Sequence, residues 1–75
     1  MARYRVEHLT DRQERIVRCI REWIVEHGEA PTVQEIGDQV GMRSRASVHY
    51  QLGQIEEKGA IIRQAGQRRG IRLVR

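Results

Sequence analysis

A chain of 75 residues, 32% charged and carrying a formal net charge of +4, has room for one small domain whose core holds about a dozen side chains. Its single cysteine, Cys19, excludes an internal disulfide, and no apolar run approaches the ~20 residues needed to cross a bilayer. Met1–His8 lacks the apolar stretch of a signal peptide, so the expected location is the cytoplasm.

Residues 1–8 show no firm pattern and read as an N-terminal tail bearing Arg3 and Arg5; residues 9–75 read as the domain. The first helix opens at Thr10, whose hydroxyl can cap the Gln13 amide while the Gln13 side chain reaches back to the Thr10 amide. Ile16, Val17, Ile20, Trp23 and Ile24 then recur at helical spacing, which predicts a helix over Asp11–His27, stopped by Gly28. Cys19 falls in line with Ile16, Ile20 and Trp23, so packing rather than chemistry is its expected role.

Pro31 pushes Ala30 out of the helical region, and Thr32-Val33-Gln34-Glu35 repeats the capping pattern. A short second helix over Val33–Val40 follows, ended by Gly41, with Val33, Ile36 and Val40 on one face. Glycine inside a helix costs about 1 kcal/mol relative to alanine, so Gly37 signals a close neighbour, expected to be the next helix. Ser44 caps a third helix, expected from Arg45 to about Lys58, with Val48, Leu52 and Ile55 facing the core. Arg45, Ala46, Ser47, His49, Tyr50 and Gln51 are then its exposed side, with no acid before Glu56. Two helices joined by so short a turn outline a helix-turn-helix.

From Ala60 the period changes to that of strands, Ile61-Ile62-Arg63 and Ile71-Arg72-Leu73-Val74, joined by the loop Gln64–Gly70 with Arg68 and Arg69 at its tip. The hairpin reads as a wing, and the fold class expected is mainly α with a small β-hairpin, a winged helix-turn-helix of three helices and a two-stranded antiparallel wing. Residues 1–38 carry a net charge of −2 and residues 39–75 a net of +6, so the C-terminal half offers a cationic face to a polyanion. No enzyme is expected: the Ser and His residues lack a carboxylate at a convincing spacing, metal-ligand clusters are absent, and no glycine-rich phosphate loop follows a strand. No catalytic residue, metal or cofactor is assigned.

Leu9-Thr-Asp-Arg-Gln13, Gly28-Glu-Ala-Pro-Thr-Val-Gln-Glu-Ile36, Gly41-Met-Arg-Ser-Arg-Ala-Ser-Val-His49, Ile55-Glu-Glu-Lys-Gly-Ala-Ile61 and Arg69-Gly-Ile-Arg-Leu73 occur in that order. Together they resemble the N-terminal DNA-binding domain of LexA-type SOS repressors, over nearly the whole chain from Leu9. The family's linker, self-cleavage site and Ser/Lys peptidase domain, which also makes the dimer, have no counterpart in these residues. The resemblance implies a sequence-specific regulator of bacterial transcription, a repressor acting in the DNA-damage response, with the third helix in the major groove. It places Ser44, Ala46, Ser47, His49 and Tyr50 where base edges are read, and its Ser-Val-His segment implies half-sites related to GAAC/GTTC.

Each residue keeps a plainer alternative: Ser44 as a cap, Ala46 as a helix former, Tyr50 as packing between helices. Arginine grips phosphate through two aligned hydrogen bonds, which favours Arg43, Arg45, Arg68 and Arg69 as backbone contacts, with Arg69 within reach of the minor groove. Thr32 and Gln34 at the start of the second helix are further candidates for backbone oxygens. The expected partner is double-stranded DNA, a palindromic operator with two half-sites, bound by a chain that is monomeric in solution and pairs, if at all, on DNA. The rival reading from another class is a winged-helix interaction module docking an acidic protein. Exposed Leu, Met or Phe anchors on the third helix would favour it, and the sequence offers Ser, His, Tyr and Gln instead. DNA binding without sequence preference is the remaining alternative.

Overall fold

The computed structural model describes residues 8–74, so the expected tail lies outside the described residues except for His8. Three helices, α1 (Asp11–His27), α2 (Val33–Val40) and α3 (Arg45–Glu57), precede two strands, β1 (Ile61–Arg63) and β2 (Ile71–Leu73). This is a winged helix-turn-helix. Among the described residues no helix is long and apolar enough to cross a membrane.

The helices start where the sequence supplies caps. Thr10 Oγ1 accepts from the Gln13 amide at 3.1 Å while Gln13 Oε1 accepts from the Thr10 amide at 3.1 Å. Thr32 and Glu35 repeat the pair at 3.1 and 2.9 Å. Ser44 has only the forward half, accepting from the Ser47 amide at 3.3 Å, because the residue three positions on is a serine with too short a reach. Gly28 and Gly41 end α1 and α2 in the left-handed conformation that glycine adopts without penalty. Lys58, expected as the last residue of α3, is its cap, and Val74 falls just outside β2 while its amide still donates to Ala60 O at 3.0 Å.

The core is aliphatic. Ile16 and Ile20 of α1, Ile36 of α2, Val48, Leu52 and Ile55 of α3 and Ile61 of β1 are all but inaccessible to solvent. Cys19 lies at the core's edge instead, and the half-buried Trp23 sets its indole against the His27 ring at a centroid distance of 4.4 Å. Partial burial pushes the Cys19 thiol above its ordinary range, helped by Glu22, which favours the protonated form.

Two contacts set α3 relative to the rest. At Gly37 a Cβ would sit 2.7 Å from the Met42 carbonyl oxygen and 3.4 Å from Val48 Cγ2. The neighbour expected from the sequence is thus chiefly the turn backbone, with an α3 side chain behind it. The second contact is polar: buried Gln13 donates through Nε2 to Gln51 Oε1 at 3.1 Å, and its Oε1 accepts from Lys58 Nζ at 2.7 Å. Gln51, expected on the outward side of α3, is therefore turned back toward α1.

The wing pairs Ile61 with Leu73, Ile62 with Arg72 and Arg63 with Ile71 in antiparallel register. Ile61 and Ile71 insert into the core, whereas Ile62 and Arg72 face solvent. The loop closes through the Gln64 amide on Gly70 O at 2.9 Å.

Candidate nucleic-acid interface

Once Val48, Leu52 and Ile55 are buried, the 100° step of an α-helix fixes where the rest of α3 points. Ala46 and Tyr50 face directly away from the core, Ser47 lies on the flank toward α1, and Arg45 and His49 lie on the flank toward α2 and the wing. All five are exposed, as are Arg43 and Ser44, and Tyr50 at 64% exposure is not packed between helices. Ser44 does cap the helix, but its hydroxyl remains at the surface.

No carboxylate occupies the first turn of α3. The first acid along it, Glu56, is neutralised from the wing: Arg63 Nε lies 3.0 Å from Glu56 Oε1, and the Arg63 amide donates to Oε2 at 3.4 Å. The positive end of the helix and its exposed amides are thus free of like-charge competition for an incoming anion.

Several residues assigned to one surface from sequence do come together. Thr32, Gln34, Arg45, His49 and Arg68 line one open depression of about 240 Å³ with Val33. It adjoins another of about 320 Å³, where His49 and Glu56 face the wing loop. Arg45 Nη2 donates to Gln34 Oε1 at 3.2 Å, which braces one side chain expected at the backbone with another. Arg43 stands beside the turn, where it shares a small recess with Gln34, Asp38 and Arg45.

Two of the expected residues are placed differently. Thr32 is buried to 8% exposure, with its hydroxyl and amide both engaged in the α2 capping box. Arg69, though exposed, is tied back to the protein's own framework: Nη1 donates to Glu35 Oε1 and to the Ala30 carbonyl, each at 2.9 Å, and Nη2 donates to Glu35 Oε2 at 3.1 Å. Glu29 Oε2 lies 3.6 Å from Arg69 Nε. The guanidinium, followed by the Thr32 amide, draws the Glu35 carboxyl down from its ordinary 4.5 to about 2.

Sequence reasoning read Glu35 only as a capping residue and gave Glu29 and Gln13 no part in organising this face. The capping box was a local signal. The partners Arg69 and Gln51 lie 34 and 38 residues away, and no local pattern announces them.

Among known proteins, a family model described as the LexA DNA binding domain matches residues 6–70. LexA repressor 1 of Nocardia farcinica is 45% identical over 76 residues, covering 95% of this chain and 35% of that protein. The LexA repressors of Corynebacterium efficiens and Bifidobacterium longum are 43% and 44% identical over 84% and 88% of this chain. The chain spans about a third of the first of these relatives and 27% of each of the other two.

Proposed function

The chain belongs to the family of LexA DNA binding domains, and from that premise we propose that it reads a double-stranded DNA half-site as the DNA-recognition part of a LexA-type transcriptional repressor. One observation carries the reading: the exposed first turns of α3 are free of carboxylates, rich in hydrogen-bonding side chains, and flanked by Arg43, Arg45 and Arg68.

In this account α3 enters the major groove by its N-terminal end. Ser44 and Ser47 donate or accept at base edges, His49 donates to guanine N7 or O6, Ala46 meets a thymine methyl, and Tyr50 supplies its hydroxyl. Arg43, Arg45 and Arg68 grip phosphates, and Gln34 reaches the backbone beside Arg45. Thr32 contributes by opening α2 rather than through a free side chain. The operator is palindromic, each half-site taking one copy of a chain that is monomeric in solution. Such work is done in the cytoplasm, at the nucleoid. An acidic protein partner would need apolar anchors, and α3 directs none outward among Arg45–Gln51 apart from Tyr50.

Selection of bound duplexes from a random pool, followed by competition titration against scrambled duplexes at about physiological ionic strength, tests the proposal. Specific binding should exceed non-specific binding by at least about 10³ for a two-site operator. Equal affinity for both duplexes would reduce the reading to charge-driven binding.

A further inference from the structure

Arg69 stands next to Arg68 at the tip of a cationic wing, yet its guanidinium is turned back along the surface onto Glu35 and the Ala30 carbonyl. We infer that Arg69 is a positioning residue: its fork onto Glu35, with the Ala30 carbonyl beneath, clamps the wing to the start of α2 and so sets where the exposed Arg68 meets the DNA backbone. The inference rests on the DNA-binding reading and assigns Arg69 and Glu35 a part in it that charge alone does not.

The electrostatics argue against Arg69 as a phosphate ligand. With Glu35 and Glu29 around it, the cluster of three charged groups sums to −1, and a phosphate approaching it meets net repulsion. Arg69 would also have to exchange two carboxylate bonds and a carbonyl bond for a phosphate. Arg68 faces neither obstacle, since it lines the depression shared with Arg45 and His49.

The wing needs such a tether. Its strands are three residues each, and an isolated two-stranded hairpin is marginal in water. Ile61 and Ile71 anchor its base in the core, while the loop between Gln64 and Gly70 is exposed. Arg69 is the loop residue that ties back. Glu35 Oε1 accepts from both the Thr32 amide and Arg69 Nη1, so a single carboxylate joins the α2 cap to the wing.

Glu35→Gln separates these functions. The amide oxygen still accepts from Thr32, but the amide nitrogen meets Arg69 Nη2 as donor against donor, and the fork opens. Binding of Glu35→Gln, Arg69→Gln and the double variant to a selected duplex is to be measured by fluorescence anisotropy across a salt series. Circular dichroism confirms that each variant is folded.

Each single variant should bind on the order of tenfold more weakly, the salt slope should hold at the wild-type value, and the double variant should be no weaker than either single. Wild-type or tighter binding by Glu35→Gln, with a salt slope lowered by about one in Arg69→Gln, would overturn the inference and make Arg69 a phosphate ligand. Carbon-13 titration of Glu35 in the free protein separates the clamp from the DNA reading. A carboxyl that titrates near 2 in the wild type and returns toward the ordinary range in Arg69→Gln supports the clamp. An ordinary value in the wild type removes it. If no duplex binds even the wild type, the functional reading fails, and the positioning role, which has meaning only on DNA, falls with it.

Discussion

At the scale of single residues, base reading and backbone grip should respond differently to substitution. His49→Ala should erode preference among sequences by about 1–3 kcal/mol while leaving binding to scrambled DNA nearly unchanged. Arg68→Ala should weaken specific and scrambled duplexes alike and lower the salt slope by about one. Competition anisotropy at several salt concentrations distinguishes the two patterns. Glu35 adds a dependence on pH whose sign follows from its lowered pKa. Between 4.5 and about 2 the unfolded chain binds the proton more than the folded one does, so the stabilisation is present above that window and is lost as pH falls through it. In urea melts the advantage of wild type over Glu35→Gln should therefore persist at pH 6 and vanish toward pH 2. The exposed face of α3 was legible in the sequence because Val48, Leu52 and Ile55 fix the helix's rotation by their spacing alone. The turn of Arg69 back onto α2 was not, because an arginine beside another arginine in a glycine-flanked loop looks the same whether its carboxylate partner is 34 residues away or absent.

Elements were read closely because their signals are local. Thr10, Thr32 and Ser44 start helices, Gly28 and Gly41 stop two of them, and each device acts within a few residues of itself. Gly37 was legible as a sign of crowding, but which backbone crowds it depends on how the turn folds back. Two glycines in helices make opposite forecasts. At Gly37 a Cβ would meet the Met42 carbonyl oxygen at 2.7 Å, so overpacking of about 1–3 kcal/mol should outweigh the ~1 kcal/mol gain in helix propensity. Gly37→Ala should therefore lower the urea midpoint and disturb the angle between α2 and α3. At Gly53 a Cβ would find only Arg63 Nη2 at 3.6 Å, an ordinary contact. Gly53→Ala should raise stability by about 0.5–1 kcal/mol. Equal shifts of the same sign in the two variants would contradict the packing described for the turn.

Across the whole molecule, charge counting overstates the free positive charge of the C-terminal half. Among the described residues Arg63 is paired with Glu56 and Arg69 with Glu35, whereas Arg43, Arg45 and Arg68 beside α3 have no carboxylate partner, and Lys58 keeps its charge on the neutral amide of Gln13. A body of 36 × 25 × 23 Å matches one turn of duplex rather than two, since half-site centres lie about 34–36 Å apart. Sedimentation should show a monomer alone and two copies on a palindromic duplex. Methylation interference on that selected duplex probes the placement of α3 itself, because a methyl on guanine N7 protrudes into the major groove and nowhere else. In each half-site at least one such methyl should block the wild type yet leave His49→Ala, already weakened, no weaker still. Binding that tolerates every N7 methyl would show that α3 is not in the major groove.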